Sequence, residues 1–463
     1  MANLPAVSST EKVHVPSEPS GGPGATEEIN EKLLLRKIDA KLLPAVGILY
    51  LLSFLDRSNV GNARIEGLLN DINATGNEYL TGLTVYFIGY IPCNIILKRT
   101  RPRLWLPTLT IAWGVVATLL GLVHNLAGFL VARFFLGVTE SGLFPGVVFY
   151  FSMWYKRRER QYRISLFFSA ASLAGAFGGI LAFEGLATIV IAFAAYWFIE
   201  NYPESSKFLS RPEKEFIQAR LAADSDATHR EKFTWSAVYD AFRDPNCWLY
   251  GLGFHTMSLP LYTLSLFLPT IIKDLGYTAA TAQLLTIPPY ALAFVTTLAV
   301  AVCSERLARR ALFIAASAVV AAIGYIILLS NTDPNARPAI SYVGTFFAAA
   351  GIYPATALVL SWPAINVSGQ TKRATANAMQ ISIGNIGAVL GTQLYRSNHG
   401  PRFVVGHATA LAYLVANIAV VSVLAWKLKN QNLQRAQVAD EIVDVGIAED
   451  WKGDGDARWR FQY

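Results

Sequence analysis

Four charged residues interrupt apolar stretches of the sequence. Arg133 and Glu140 lie in one apolar run and are seven residues apart, which on a helix places them two turns apart on one face. Asp56 and Arg57 interrupt the first apolar run. Charges inside apolar helices are costly and mark polar pathways through a bundle. The alternatives are an Arg–Glu clamp between helices and, for Asp56 and Arg57, the outer end of the first helix.

The composition predicts a helical membrane protein. Of the 463 residues, 53% are hydrophobic and 15% are charged, and the mean hydropathy is +0.36. The apolar residues form segments of about 20, the length that crosses roughly 30 Å of hydrocarbon. We therefore predict an all-α, polytopic membrane protein. The net charge of +7 is attributed to cytosolic loops rather than to nucleic-acid binding.

Twelve apolar runs are visible, in two groups of six. They cover 42–66, 79–97, 104–124, 127–154, 164–183, 185–199, 247–272, 281–303, 311–330, 341–365, 374–395 and 403–427. Two six-helix halves predict a transporter with a binding site between them. The predicted organisation is a disordered tail (1–41), an N-terminal half (42–199), a central loop (200–246), a C-terminal half (247–428) and a second tail (429–463).

Basic residues set the predicted orientation. With a cytosolic N-terminus, the inside loops would hold Lys98, Arg99, Arg101, Arg103, Lys156, Arg157, Arg158, Arg160, Arg163, Arg306, Arg309, Arg310, Lys372 and Arg373. The outside loops hold far fewer basic residues, so the positive-inside rule places both termini in the cytosol. Residues 1–41 lack the apolar core of a signal peptide. A helix-like segment near Glu213–Ala222 is expected at the cytosolic membrane surface.

The fifth and sixth spans have too little chain. Residues 164–199 would make about 54 Å of helix at about 1.5 Å per residue. Two crossings of about 30 Å each need more. We therefore predict a cramped hairpin that turns near Phe183–Gly185, with both helices shortened.

Four segments carry a family resemblance: YLLSFLDRSNVGNA (50–63), ARFFLGVTESGLFPG (132–146), YKRRERQYR (155–163) and GQTKRATANAMQISIGNIGAVLGTQLYR (369–396). Together they resemble the fungal allantoate permease branch of the anion:cation symporters, within the major facilitator superfamily. The sequences of these segments are most similar to those of the nicotinate permeases. The resemblance covers about residues 30–430 and implies the major facilitator fold, transport of a small organic anion, and a fungal plasma membrane.

Two features depart from the family pattern. Family members usually carry extra residues between Tyr90 and Ile91, and more between Phe183 and Glu184. The second departure coincides with the shortened hairpin. These differences leave open a second interpretation, in which the protein is a non-transporting nutrient sensor or a truncated, inactive member.

The resemblance also implies roles for the four charged residues. In related proton-driven symporters, matching pairs on helices one and four couple protons to transport. By that resemblance Asp56 and Glu140 would bind protons, while Arg57 and Arg133 would keep the acids charged or bind a substrate carboxylate. Burial disfavours a charged carboxyl group and a nearby Arg favours it, so movement of an Arg can change proton affinity.

Five further polar residues on apolar helices are candidates for the substrate site. They are Tyr86, His255, Tyr262, Gln380 and Asn385. Each could line a central cavity, or could make an interhelical hydrogen bond instead.

The predicted function is proton-coupled symport of a small organic anion, nicotinate or a related carboxylate or vitamin, by alternating access. The expected partners are that anion, protons and the lipid bilayer, and we expect a monomer. No nucleophile elbow, phosphate-binding loop or Walker motif predicts an enzyme or a pump. The three cysteines, Cys93, Cys247 and Cys303, have no zinc-site spacing, and neither a metal nor a cofactor is expected.

Overall fold

The computed structural model of the protein describes residues 29–89, 102–177, 184–222, 234–445 and 453–463. All regular structure in these ranges is helical. The α-helices in chain order are α1 (Glu31–Glu66), α2 (Leu68–Asp71), α3 (Gly76–Gly89), α4 (Pro102–Leu120), α5 (Leu126–Glu140), α6 (Leu143–Ser152), α7 (Arg157–Phe177), α8 (Glu184–Phe198), α9 (Arg211–Ala222), α10 (Trp235–Arg243), α11 (Pro245–Lys273), α12 (Ala279–Leu307), α13 (Arg310–Ser330), α14 (Pro338–Asn366), α15 (Gln370–Thr392) and α16 (Val404–Val445).

The twelve predicted spans correspond to helices of one bundle. They fall on α1, α3, α4, α5 with α6, α7 and α8, and then on α11 to α16. Within the described ranges, seven spans are both long and apolar enough to cross a membrane: α1, α4, α5 with α6, α12, α13, α14 and most of α16. The prediction of an all-α, polytopic membrane protein is confirmed.

The predicted span 127–154 is broken into two helices. Helix α5 ends at Glu140 and α6 begins at Leu143. Pro145 lies in the first turn of α6 and has no backbone N–H with which to bond the carbonyl of Ser141, so a continuous helix would lose a hydrogen bond there. The break directly follows Glu140, the acidic residue of the predicted site.

Helix α8 is short, as the chain length predicts. Its 15 residues make about 22 Å of helix at 1.5 Å per residue, less than the roughly 30 Å of a bilayer core. The predicted turn near Phe183 and the junction between Tyr90 and Ile91 lie outside the described residues. So do residues 1–28 of the predicted tail, Cys93, and the basic residues Lys98, Arg99 and Arg101.

The helices extend into both predicted tails. Helix α1 begins at Glu31, and the Asn30 side chain caps it by accepting from the backbone N–H groups of Lys32 and Leu33. Residues 31–41 are therefore helical where the sequence predicts a disordered tail. Helix α16 continues beyond residue 428 to Val445. A cap and ion pairs extend α1 past its apolar run. The extension of α16 is held by Asn432 and Arg435, which donate to backbone carbonyls of residues 453–463.

The central loop contains two helices, α9 and α10. Helix α9 covers the predicted segment Glu213–Ala222, so the helix itself is confirmed. Its Ile217 and Leu221 are buried, and its Arg220 pairs with Glu31 of α1 at 2.5 Å and with Glu159 of α7. Helix α9 therefore packs on the bundle, and its position at the cytosolic membrane surface stays a prediction.

The two halves are joined at the end of the bundle that holds residues 29–41 and 453–463, which we call the termini side. The side-chain amide of Gln161 on α7 donates to Ser304 Oγ on α12 at 3.1 Å. Arg157 donates to Asn366 Oδ1 at 3.2 Å and to the carbonyl of Ile365, both on α14. Helix α7 therefore closes the termini side against α12 and α14.

The halves are joined at the opposite side as well. Gln393, just after α15, donates to Thr84 Oγ1 on α3 at 2.8 Å. Gln283 on α12 donates to Glu66 at the end of α1 at 2.7 Å. Helices α1 and α11 also pack together there. The described residues thus connect the two halves at both ends of the bundle. The space between these two sets of contacts lies midway along the bundle.

Candidate functional site

An ion pair between α1 and α5 lies at the centre of the bundle. Arg57 Nη2 is 2.5 Å from Glu140 Oε1, and both side chains are buried. Helix α1 continues for nine residues beyond Arg57, so Asp56 and Arg57 lie inside the helix and not at its outer end. Glu140 pairs with Arg57 of α1, not with Arg133 of its own helix.

Two hydroxyl groups also donate to the Glu140 carboxylate. Tyr86 Oη on α3 donates to Oε2 at 2.5 Å, and Ser53 Oγ on α1 donates to Oε1. Ser53 lies one helical turn before Arg57, so the two side chains share a face of α1. The carboxylate is held by donors from two helices, which offset the cost of burying its charge.

Arg57 also connects the two halves. Its Nη1 donates to Tyr262 Oη on α11 at 2.6 Å. The Tyr262 ring packs edge-on against Phe87 of α3, with ring centres 4.7 Å apart. One guanidinium group therefore contacts an acid of the N-terminal half and a hydroxyl group of the C-terminal half.

The other two charged residues lie close to this pair. Asp56 is buried next to Arg57. Arg133 is buried two turns before Glu140 and lies within electrostatic range of Asp56 and Glu140. Its guanidinium is 5.5 Å from the centre of the Phe129 ring, and its Nε has no hydrogen-bond partner in the described part of the chain. The fold thus brings the four predicted charges together.

A cavity between the halves opens beside Arg57. Its volume is about 290 Å³, including space open to solvent. The lining residues come from both halves: Tyr50, Arg57, Phe144, Phe168, Phe254, Leu261, Tyr262, Leu360, Ile381 and Asn385. Five of these ten are aromatic and Arg57 is the one charged residue among them, which is the combination of apolar walls and few polar groups typical of ligand sites.

The five polar candidates divide into two groups. Tyr262 and Asn385 line the cavity, and Tyr86 contacts Glu140 beside it. The buried Asn385 Nδ2 has no hydrogen-bond partner among the described residues. Gln380 instead donates to the Val359 carbonyl at 2.9 Å, and His255 Nδ1 lies 3.1 Å from the carbonyl of Ile383. Gln380 and His255 therefore make the interhelical contacts that were the alternative interpretation.

The sequence interpretation missed Ser53 and the aromatic walls. Ser53 could have been found from its spacing, since it lies four residues before Arg57. Phe144, Phe168 and Phe254 carry no such signal, because an apolar helix in a membrane has aromatic residues on several faces. Among the described residues no group of three or more metal-ligating side chains occurs.

Comparison with known proteins identifies the family. The profile described as Major Facilitator Superfamily matches residues 46–392 of this chain. The chain belongs to the Major Facilitator Superfamily. Its two six-helix halves, with a cavity between them, are therefore those of a major facilitator protein, as the motifs imply.

Several relatives of this major facilitator protein are fungal transporters. The high-affinity nicotinic acid transporter of Saccharomyces cerevisiae is 31% identical over 439 residues, which cover 90% of this chain and 81% of that protein. The MFS-type transporter cnsO of Penicillium expansum is 34% identical over 439 residues, covering 88% of this chain and 85% of that protein. The relatives are named as transporters, and this major facilitator protein therefore has a transport role rather than an enzymatic one.

Solved structures share the fold at low identity. The proton:xylose symporter XylE aligns with a TM-score of 0.61 at 14% identity, over 84% of this chain and 96% of that chain. The fucose:proton symporter FucP of E. coli aligns with a TM-score of 0.59, also at 14% identity, over 83% of this chain and 99% of that chain. These similarities concern the major facilitator fold alone.

Proposed function

We propose that this major facilitator protein is a secondary active transporter that carries a small organic anion together with protons. The observation that carries the proposal is the buried ion pair of Arg57 and Glu140 at the edge of the central cavity, 2.5 Å apart. Glu140, with Asp56 nearby, is the proton site. Arg57 is the group that meets the carboxylate of the substrate.

The contacts of Arg57 suggest how protons and substrate are coupled. While Glu140 is ionised, it holds the Arg57 guanidinium on the N-terminal half. Protonation removes that charge and leaves Arg57 available for another anion. A substrate carboxylate then accepts bidentate hydrogen bonds from the same planar group. Because Arg57 also contacts Tyr262 of the other half, exchange of its partner affects the interface at which the halves rock.

The cavity supports an aromatic carboxylate of the nicotinate class. A relative is named as a nicotinic acid transporter. Tyr50, Phe144 and Phe254 line the cavity with aromatic rings, and Arg57 and Asn385 line it with a guanidinium and an amide group. Arg133, within electrostatic range of Asp56 and Glu140, keeps these acids charged or binds the substrate carboxylate.

Uptake into proteoliposomes tests the proposal. Labelled nicotinate should accumulate when the outside is acidic, and unlabelled carboxylates should compete. In Glu140→Gln, pH-driven accumulation should be lost while exchange of labelled for unlabelled substrate continues, because binding remains but the proton site is gone. Glu215→Gln on the exposed face of α9 is the matched control and should behave as the wild type. Full accumulation by Glu140→Gln would refute the coupling.

A second candidate function rests on the short helix α8. Its length of about 22 Å is the observation that favours a sensor or an inactive member. Such a protein would bind nicotinate in a direct binding assay but would show neither accumulation nor exchange in the same vesicles. Exchange by the wild-type protein would exclude this candidate.

We also propose that the protein works as a monomer in the fungal plasma membrane, with residues 42–199 and 247–428 as its two transporting halves. The basic residues of the termini side support cytosolic termini under the positive-inside rule. An epitope placed after residue 463 should be accessible to antibody only after permeabilisation of the cells.

A further inference from the structure

Helix α10 carries an exposed aromatic face. Trp235, Tyr239 and Phe242 are 57%, 59% and 49% exposed. Their spacing of i, i+4 and i+7 places the three rings on one side of the helix. Large apolar rings this exposed in a row form a patch, and such patches mark interaction surfaces.

The other sides of α10 are accounted for. Ala241 is buried, and the helix packs against α15. Asp240 and Arg243 are exposed and lie on the side between the aromatic face and the protein. The surface of α10 therefore has three sectors: one packs against the protein, one is polar and one is aromatic. The rings of the aromatic sector are exposed.

The aromatic face continues onto a membrane-spanning helix. Trp248, in the first turn of α11, donates from its indole N–H to the Phe242 carbonyl at 2.8 Å. Trp248 and Leu252, one turn later, are both exposed on α11. Helix α11 falls on the seventh predicted span of the family fold, so we expect its outward-facing residues to contact lipid. The aromatic face of α10 is thus continuous with the exposed face of α11.

Other spans have exposed tryptophans near the same end of the bundle. Trp426 of α16 is exposed and lies five residues before Gln431. Gln431 accepts a hydrogen bond from Asn246 at the start of α11 at 3.2 Å. Trp197 lies near the end of α8 and is also exposed. Tryptophan and tyrosine concentrate where a bilayer meets water. Trp197 and Trp426 thus lie exposed toward the same end of the bundle as α10, as expected for residues near a bilayer surface.

We infer that α10 lies in the headgroup layer of the bilayer on the termini side and anchors the central loop to the membrane. The Trp235, Tyr239 and Phe242 rings enter the boundary between headgroups and acyl chains, and Asp240 and Arg243 face water. The continuity with α11 favours lipid over a protein partner, because a partner covering this face would also have to displace the lipid around Trp248.

Environment-sensitive labels test the inference. In a cysteine-free background, Tyr239→Cys and Asp240→Cys are labelled with a fluorescent probe, and the full chain is placed in phosphatidylcholine nanodiscs. We expect shallow spin-labelled lipid to quench the probe at 239 about fivefold more than at 240, and aqueous iodide to show the reverse order. Iodide quenching of equal strength at both positions would overturn the inference and favour a protein partner for this face.

A second pair of variants keeps the test decisive if Tyr239→Cys or Asp240→Cys does not fold. Phe242→Cys and Arg243→Cys repeat the comparison one turn later, since the hydrogen bond from Trp248 uses the Phe242 backbone and survives the substitution. The aromatic-face position should again be the lipid-quenched one. If both pairs give the same quenching at the two faces, α10 does not lie in the membrane interface.

Discussion

At the scale of single residues, the site depends on which polar atoms already have partners. The Glu140 carboxylate receives donors from Ser53, Arg57 and Tyr86. The Gln380 amide is bonded to backbone carbonyls. Asn385 lies on the same helix and lines the cavity. Its buried Nδ2 has no hydrogen-bond partner among the described residues. A buried donor without a partner is costly, so a ligand that accepts from it binds more tightly.

Asn385→Ala should therefore raise the KM for the transported anion about tenfold to a hundredfold, since a hydrogen bond to a charged group contributes about 1.5–3 kcal/mol and about 1.4 kcal/mol is a factor of ten. Uptake kinetics in proteoliposomes measure this effect. Gln380→Ala is the matched control on α15 and should lower thermal stability while the KM stays near that of the wild type. Equal effects of the two substitutions on KM would contradict the assignment.

At the scale of helices, close contact between the halves depends on small residues. Gly61 of α1 packs so closely against α11 that an added Cβ would overlap the backbone carbonyl of Leu266. Gly47 on the same helix has open space around its Cα. Small residues allow membrane helices to approach closely, so Gly61 determines how tightly the opposite side closes.

We expect Gly61→Ala to slow uptake about tenfold or more, because a methyl group here must displace backbone and not a flexible side chain. Gly47→Ala tests helix propensity alone and should leave transport unchanged or stabilise the helix slightly. Initial rates at matched protein levels distinguish the two variants. Unimpaired transport by Gly61→Ala would mean that the cycle does not require this close contact.

The docking of α9 on the bundle depends on an ion pair with α1. Lys37 of α1 lies 2.8 Å from Glu213, and the Ser210 backbone N–H also donates to that carboxylate at 2.8 Å. Partial burial raises the pKa of Glu213, but these hydrogen bonds outweigh it and hold the pKa below its usual value. The contact therefore stabilises α9 above the ordinary pKa of Glu and is lost as the pH falls through the lowered pKa.

Glu213→Gln should accordingly increase amide hydrogen exchange in α9 at neutral pH. Glu215→Gln is the control, because its pairing with Arg211 at 3.0 Å is exposed to solvent and such pairs contribute little. Faster exchange for Glu213→Gln alone is the expected result. The same exchange in both variants would show that the buried Ile217 and Leu221 hold the helix without the ion pair.

At the scale of the whole molecule, the C-terminal segment 453–463 joins the halves on the termini side. The Arg157 guanidinium of α7 stacks 3.7 Å from the buried Trp459 ring and donates to the Arg460 carbonyl at 2.8 Å. Asn366 of α14 donates to the Gln462 carbonyl at 2.8 Å. The segment contacts the first half through α7 and the second half through α14, so its docking favours closure of the termini side.

Trp459→Ala should open the termini side more often. A reporter cysteine at Ser361, buried one turn before Ile365 on α14, should react several-fold faster with a water-soluble maleimide when Trp459 is absent, because a stacked cation and aromatic ring contribute about 0.5–2 kcal/mol. Tyr463→Ala, at an exposed position of the same segment, is the control. An unchanged labelling rate in Trp459→Ala would contradict a closing role.

The sequence by itself determined the family, the number and order of the spans, and the four charged residues. Apolar runs of membrane length, and charges within them, are local signals that need no tertiary information. The shortage of chain around residue 183 was equally readable, and α8 has the predicted short length. These features depend on composition and spacing along one segment at a time.

Only the tertiary structure decided which groups meet. Arg133 and Glu140 share a helix, yet Glu140 pairs with Arg57 of α1, because the contact is set by how α1 and α5 pack. Gln380 and Asn385 are indistinguishable as polar residues on one helix, and the surrounding helices give one a carbonyl partner and the other a cavity. Distances across helices depend on packing between segments far apart in sequence, and spacing within one segment does not contain that information.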